Sequence, residues 1–100
     1  MEKFNELVKM DTPVLVDFFA EWCAPCKAMK PVLEEVKGIV GDKARILKID
    51  VEKNHDLAMQ LNIHSVPTLI LFKNNDIVWR QNGGAGISDL VAVINQYVNK

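Results

Sequence analysis

The sequence lacks the features that would assign it to a membrane or a nucleic acid. None of its apolar runs approaches the ~18–20 residues that a membrane-spanning helix requires. The longest, residues 66–72, holds a proline and a threonine and has the length of a strand. No run of lysine and arginine could follow a phosphate backbone, and the formal net charge is −1. We therefore expect neither a membrane nor a nucleic acid as a partner.

The N-terminal residues do not show the pattern of a secretory leader, and the chain has too few cysteines for a disulfide framework. The N-terminus has no basic segment followed by an apolar one, so we expect the protein to remain in the cytoplasm. The chain has only two cysteines, Cys23 and Cys26. Because cytoplasmic thiols are normally kept reduced, this close pair favours a catalytic or metal-binding role over a structural disulfide.

A zinc site is the metal-binding alternative. It would need four convergent ligands, and the sequence could offer only Cys23, Cys26, His55 and His64. The two histidines lie on different predicted elements, and no second close pair of ligands exists. We therefore expect no metal, and we expect both histidines to face solvent.

The periodicity of apolar residues predicts one domain over residues 1–100, without repeats or linkers. The elements after a first helix follow the order β-α-β-α-β-β-α. This order predicts a parallel strand pair, then an antiparallel hairpin, with helices on both faces of the sheet. The predicted strands are residues 14–19, 44–51, 66–72 and 77–80; the predicted helices are residues 4–10, 27–40, 54–62 and a final one from 88, with Asn54 and Ser88 as N-caps.

The cysteines lie where the first predicted strand leads into the second predicted helix. A helix N-terminus presents free N–H groups and a positive dipole end, which stabilise a thiolate. We predict a redox site in which Cys23 is the nucleophile, with the more exposed sulfur, and Cys26, one turn later, resolves the mixed disulfide. The alternative is an inert buried pair. Pro25 suits the first turn of a helix.

Three segments resemble the thioredoxin family. Residues 16–27 (VDFFAEWCAPCK) are similar to its active-site segment, and residues 48–54 and 65–69 are similar to its next two landmarks, in the same order. The resemblance implies an α/β thioredoxin-like fold with a mixed central sheet. Only residues 1–3 could supply the strand that usually precedes the first helix, so we expect about four strands, with residues 44–51 near an edge. Ala24 stands where the family commonly has glycine, which leaves the redox potential open.

The resemblance also implies a pair of charged residues beneath the cysteines. It places Asp17 and Lys48 on neighbouring strands under the active site. A desolvated carboxylate has a raised pKa, which a nearby ammonium lowers again. Asp17 could then take the proton from Cys26 as this thiol attacks. The alternative is a structural ion pair.

The loop around Pro67 is the third part of the implied site. The resemblance implies a cis Val66–Pro67 bond facing the cysteines, with the backbone at Val66 pairing with an extended client segment. The alternative is a trans proline that begins an edge strand. Client docking is expected on an apolar rim formed by Trp22, Ala24, Pro25, Val66, Pro67, Gly84 and Ala85.

The implied function is that of a protein-disulfide reductase taking part in electron transport and cell redox homeostasis. Clients with disulfides and a thioredoxin reductase would be its partners. The cysteine pair would be the redox couple, so no bound cofactor is expected, and we expect a monomer. Two alternatives remain. A thiol oxidant or isomerase would differ in redox potential, and a binding module would use the surface without the thiols.

Overall fold

The computed structural model describes the backbone of residues 2–98 and the side chains of residues 4–98. Four strands and four α-helices lie along it in the order α-β-α-β-α-β-β-α, with a short 3₁₀ turn at Gly41–Lys43. The strands are β1 (Val14–Phe19), β2 (Arg45–Asp50), β3 (Thr68–Lys73) and β4 (Asp76–Asn82); the helices are α1 (Glu2–Val8), α2 (Ala24–Val40), α3 (His55–Gln60) and α4 (Ile87–Val98). No helix within this described part is both long and apolar enough to cross a membrane.

The sheet has the strand order β2-β1-β3-β4. β1 pairs with β2 in parallel and with β3 antiparallel, and β3 pairs antiparallel with β4. The predicted fold class is confirmed, including the position of β2 at an edge. Glu2 and Lys3 belong to α1 and do not form the extra strand considered above, and Met1 lies outside the described residues.

Two apolar clusters on opposite faces of the sheet make up most of the core. Side chains alternate between the faces of a strand. In β1, Leu15 packs with residues of α2 and α4, whereas Val16 and Phe18 pack with residues of α1 and α3. The helices therefore lie in two layers, with α2 and α4 on one face. The same alternation places Asp17 on the face of Leu15, the face that α2 covers.

The start of α2 differs from the prediction in a way that matters for the site. The helix begins at Ala24, three residues before the predicted start, because Cys23 is its N-cap residue. The backbone N–H of Cys26 donates to the Sγ of Cys23 over 3.1 Å. A sulfur atom thus takes the position that an oxygen usually takes at a helix start, a substitution that propensity rules do not anticipate.

Other helices and strands begin or end a few residues away from their predicted limits. Asn54 is the N-cap residue of α3, but its side chain donates to the carbonyl oxygen of Asp50 and does not cap the helix. α4 begins at Ile87, so the prediction that Ser88 caps it is wrong. β4 is longer than predicted because its pairing with β3 continues to Asn82.

Candidate active site

The two cysteines form the centre of the candidate site. Cys23 and Cys26 are joined in a disulfide, with their Cα atoms 5.2 Å apart. β1 leads into the short turn that carries Trp22, and α2 begins directly after Cys23. The structure therefore describes the oxidised form of the pair, at the helix start where the sequence places it.

Both cysteines are nearly buried. Cys23 is 3% exposed and Cys26 is 4% exposed, so the greater accessibility of the Cys23 sulfur stays a prediction. Both pack with Ala20, and Val66 and Phe19 lie against this cluster. The neighbouring Trp22 is 68% exposed. Cys23 therefore does not project from the surface around Trp22.

The loop before β3 faces the disulfide. The Val66–Pro67 peptide bond is cis, as predicted. The carbonyl oxygen of Val66 lies 3.7 Å from the Sγ of Cys23. This is a contact in the disulfide, which carries no proton, and the Cys23 thiol could donate there once reduced. Pro67 itself is buried, and its carbonyl oxygen accepts a 2.7 Å hydrogen bond from the N–H of Gly83.

Asp17 is a fully buried acid without a hydrogen-bond partner. Its exposure is 0%, and neither carboxylate oxygen accepts a hydrogen bond from any described residue. Burial raises the pKa of this carboxyl from 3.8 to about 6, although the positive charge of Lys48 lowers it in part. Such a pKa lets the group hold or release a proton near neutral pH, which suits a general acid or base.

Lys48 is the cross-strand neighbour of Asp17, in register on β2. It is exposed, and its Nζ lies over the ring of Phe19, 5.4 Å from the centroid. Since no hydrogen bond joins Lys48 to Asp17, the alternative of a directly bonded buried ion pair is wrong. Lys48 acts on the carboxylate through its field alone.

The predicted rim lies on three segments. Trp22, Ala24 and Pro25 are exposed around the start of α2, and Val66 is half-buried. A groove of about 290 Å³ lies beside Trp22 and Val66 and is lined with apolar side chains such as Ala58, Met59 and Ile63.

The loop after β4 carries the last two predicted rim residues. Gly84 is exposed and Ala85 is half-buried against the core. The hydrogen bond from Gly83 to Pro67 ties this loop to the cis-proline segment. A Cβ at position 84 would lie 3.0 Å from the Sδ of Met29, so a side chain there would force that methionine to move.

Comparison with known proteins identifies the family that shares this geometry. The thioredoxin family profile matches residues 1–96. The chain belongs to the thioredoxin family. Thioredoxin C-2 of Corynebacterium nephridii is 45% identical over 93 residues, which span 93% of this chain and 86% of the relative. The chloroplastic thioredoxin Y of Oryza sativa subsp. japonica is 44% identical over 91% of this chain and 55% of its own length.

A solved thioredoxin structure agrees with the fold. A mutant thioredoxin from Halobacterium salinarum NRC-1 superposes with a TM-score of 0.88 at 32% identity, covering 98% of this chain and 85% of that one. The thioredoxin family and the cysteine pair together make the chain a dithiol–disulfide oxidoreductase. The two histidines are exposed and line the groove beside Trp22. Among the described residues, no group of three or more potential ligands could hold a metal.

Sequence reasoning missed Arg80, which fixes the segment leading to the cis-proline. Its guanidinium donates to the carbonyl oxygens of Leu61 and Asn62, at the end of α3. Asn62 has a positive φ of 54°, and the chain then continues to Val66. A cation suits a helix C-terminus, whose carbonyl groups carry the negative dipole end. No local pattern could reveal this contact, because β4 and α3 are brought together only by the fold.

We expect Arg80→Gln to lower the free energy of unfolding by about 1–2 kcal/mol, because charged hydrogen bonds to two carbonyl groups are lost. Urea unfolding at pH 7 measures this change. Arg45→Gln is the matched control, since Arg45 is exposed and its only described side-chain contact is a long one to the sulfur of Met10. The control should change stability by less than about 0.5 kcal/mol. Equal effects of the two substitutions would contradict the anchoring role of Arg80.

Proposed function

We propose that this protein reduces disulfides in client proteins, with Cys23 as nucleophile and Cys26 as resolving thiol. The observation that carries the proposal is the Cys23–Cys26 disulfide at the start of α2, facing the carbonyl oxygen of Val66. Free N–H groups at a helix start favour a thiolate, and the thiolate is the attacking species.

The reaction takes place in two exchanges. The Cys23 thiolate attacks one sulfur of the client disulfide, forming a mixed disulfide and releasing a client thiolate. The Cys26 thiolate then attacks the Sγ of Cys23, forming the intramolecular disulfide and releasing the second client thiolate. Two electrons pass from the cysteine pair to the client. The described form is thus the product of one turnover, and a thioredoxin reductase would return it to the dithiol.

Asp17 is the group that would take the proton of Cys26 during the second exchange. Its burial, its raised pKa and its position on the α2 face of β1 all support this role. The charge of Lys48 would keep a fraction of Asp17 ionised at neutral pH. The same proton could return to Cys26 when the pair is reduced again.

Client binding would take place on the rim around the disulfide. An extended client segment could pair with the backbone at Val66 beside Pro67, in the manner of an added strand. Such pairing depends little on client sequence. Trp22, Ala24, Pro25, Gly84 and Ala85 would supply the remaining contact surface.

The remaining expectations belong to the same proposal. The cysteine pair would need no bound cofactor, and we expect a monomer that acts in the cytoplasm within cell redox homeostasis. One relative carries a chloroplastic name, so the family occurs in more than one compartment. The direction of electron flow depends on the redox potential. Residues between the two cysteines influence this potential, and Ala24 stands where the family commonly has glycine.

Reduction of insulin by the protein, with dithiothreitol as electron donor, tests the proposal. We expect Cys23→Ser to reduce the rate to that of dithiothreitol alone, because no thiolate then opens the client disulfide. Equilibration with glutathione should give a reduction potential of about −270 mV, which is the reference value for thioredoxin. A potential above about −180 mV would favour the oxidant or isomerase instead. Activity that survives Cys23→Ser would refute the nucleophile.

A further inference from the structure

A second cavity lies beside the cysteine pair and shares no residue with the groove at Trp22. It has a volume of about 360 Å³, with Cys26 among its lining residues. Apart from Cys26, it is lined by Phe19, Ala20, Glu21, Lys27, Lys30 and Lys48. At ~30 Å³ per water molecule, it has room for about a dozen waters or for a polar side chain with part of its hydration shell. We call it the lysine cleft.

Three lysines and one glutamate are among the residues that line this cleft. Lys27, Lys30 and Lys48 contribute positive charge and Glu21 contributes the single negative charge, although the whole chain has a net charge of −1. Lys27 and Lys30 form no ion pair with any described residue. The Nζ of Lys48 lies over the ring of Phe19, and its charge also acts on Asp17. A recess lined by one sign of charge concentrates the field and attracts counter-ions.

Lys30 lies near enough to the cysteine pair for its charge to act on a bound client. It follows Cys26 by four residues in α2, so the two lie on the same face of the helix. A client whose disulfide has reached Cys23 carries its neighbouring residues over this first turn. The lysines of the cleft would then attract a client carboxylate within a few residues of the attacked cysteine, over a range set by the Debye length of ~8 Å at physiological salt.

We propose that the lysine cleft is a specificity subsite that binds an aspartate or glutamate side chain of a client protein, close to the attacked cysteine. The inference rests on the proposed reductase function. The occupant is a client side chain because the cleft adjoins Cys26, the partner of Cys23 in the disulfide, and because its lysines complement a carboxylate. An apolar client residue would find its match in the groove beside Trp22.

The test uses two disulfide peptides that differ only in having glutamate or glutamine beside the cysteines. The ratio of their kcat/KM values is measured for the wild type, Lys30→Gln and Lys30→Glu. The wild type should prefer the acidic peptide, and Lys30→Gln should lower kcat/KM for this peptide by about two- to fivefold, as for an exposed charge pair. Lys30→Glu should remove the preference or reverse it. In ~0.5 M salt, screening should bring the wild-type ratio close to one.

Lys43→Gln is the matched control. Lys43 is an exposed lysine beyond the C-terminal end of α2, whose 17 residues span ~25 Å. Its replacement should leave the ratio unchanged. The subsite is refuted if Lys30→Gln slows both peptides equally, or if Lys43→Gln has the same effect. Inorganic phosphate and a free acidic peptide are also compared as inhibitors of the reduction of the glutamate peptide. If both inhibit at the same concentration, the cleft binds any anion, and the subsite is refuted. Failure of the wild type to reduce even the glutamine peptide would instead refute the reductase function.

Discussion

Replacing Cys26 with serine is expected to convert the protein from a turnover catalyst into a covalent trap for its clients. Cys23 remains at the start of α2 and can still attack a client disulfide. The mixed disulfide then persists, because the hydroxyl of serine cannot act as the second thiolate. Turnover should fall by at least ~10³-fold, since an intramolecular thiol with a high effective molarity is exchanged for millimolar external thiol.

The trapped product can be detected directly. Incubation of Cys26→Ser with a disulfide peptide should give a 1:1 adduct by mass spectrometry, which dithiothreitol removes. Cys23→Ser is the control, and we expect it to form far less adduct, because the Sγ of Cys23, at the N-cap of α2, accepts a backbone N–H that favours the thiolate, whereas Cys26 lies inside the first turn. If Cys23→Ser formed the adduct as rapidly, the two cysteine roles would have to be exchanged.

Local sequence patterns predicted the elements and the chemistry of the site. The apolar run of β1, the Cys-x-x-Cys pair and the amphipathic face of α2 are short-range signals, because each depends on neighbouring residues only. The cis bond at Pro67 followed from the family resemblance and is present. The parallel pair and the antiparallel hairpin followed from element order. The expectation of four strands with β2 at an edge followed from the family resemblance.

Features that depend on register between distant segments escaped prediction. The hydrogen bonds of Arg80 to the end of α3 require β4 to lie beside that helix end. The lysine cleft combines α2 with β2. The low exposure of Cys23 depends on the approach of Val66, more than forty residues away in sequence. These contacts join residues that are far apart in the sequence, so they become visible only in the folded structure.

Asp17 shows both sides of this limit. Asp17 interrupts the apolar run of residues 14–19, where a carboxylate is costly unless it has a partner or a function, so the sequence alone marks it as unusual. The sequence left open whether Lys48 neutralises it directly. In the structure both carboxylate oxygens lack a hydrogen-bond partner among the described residues, and the pKa is raised to about 6. Such an arrangement favours a reactive group, because a purely structural ion pair would be bonded directly.

Asp17→Asn should stabilise the fold at neutral and alkaline pH. The folded-state pKa of about 6 exceeds the unfolded value of 3.8, so the native state binds the proton more tightly. The stability that this provides is present below pH 3.8 and is lost as the pH rises through 6. At 1.36 kcal/mol per pKa unit the loss is about 3 kcal/mol, and asparagine, similar in shape to the protonated acid, avoids it.

Urea unfolding of the oxidised protein at pH 4 and pH 8 measures this difference. The variant should exceed the wild type by about 2–3 kcal/mol at pH 8 and by little at pH 4. Asp42→Asn is the control, because Asp42 is an exposed carboxylate in the turn after α2. It should show no such pH dependence. An Asp17→Asn protein that is less stable than the wild type at pH 8 would show that the carboxylate is paired after all.

The same substitution should slow the second exchange at neutral pH. An ordinary thiol with a pKa of ~8.5 is only about 3% thiolate at pH 7, so a base that ionises Cys26 fully can accelerate its attack by at most ~30-fold. We expect release of the second client thiol in a single turnover to be about 10–30-fold slower in Asp17→Asn at pH 7. The difference should shrink to about twofold or less above pH 9, where the thiol ionises unaided. Equal rates at pH 7 would exclude Asp17 from the proton transfer, and an equal deficit at every pH would indicate that it positions Cys26 and does not deprotonate it.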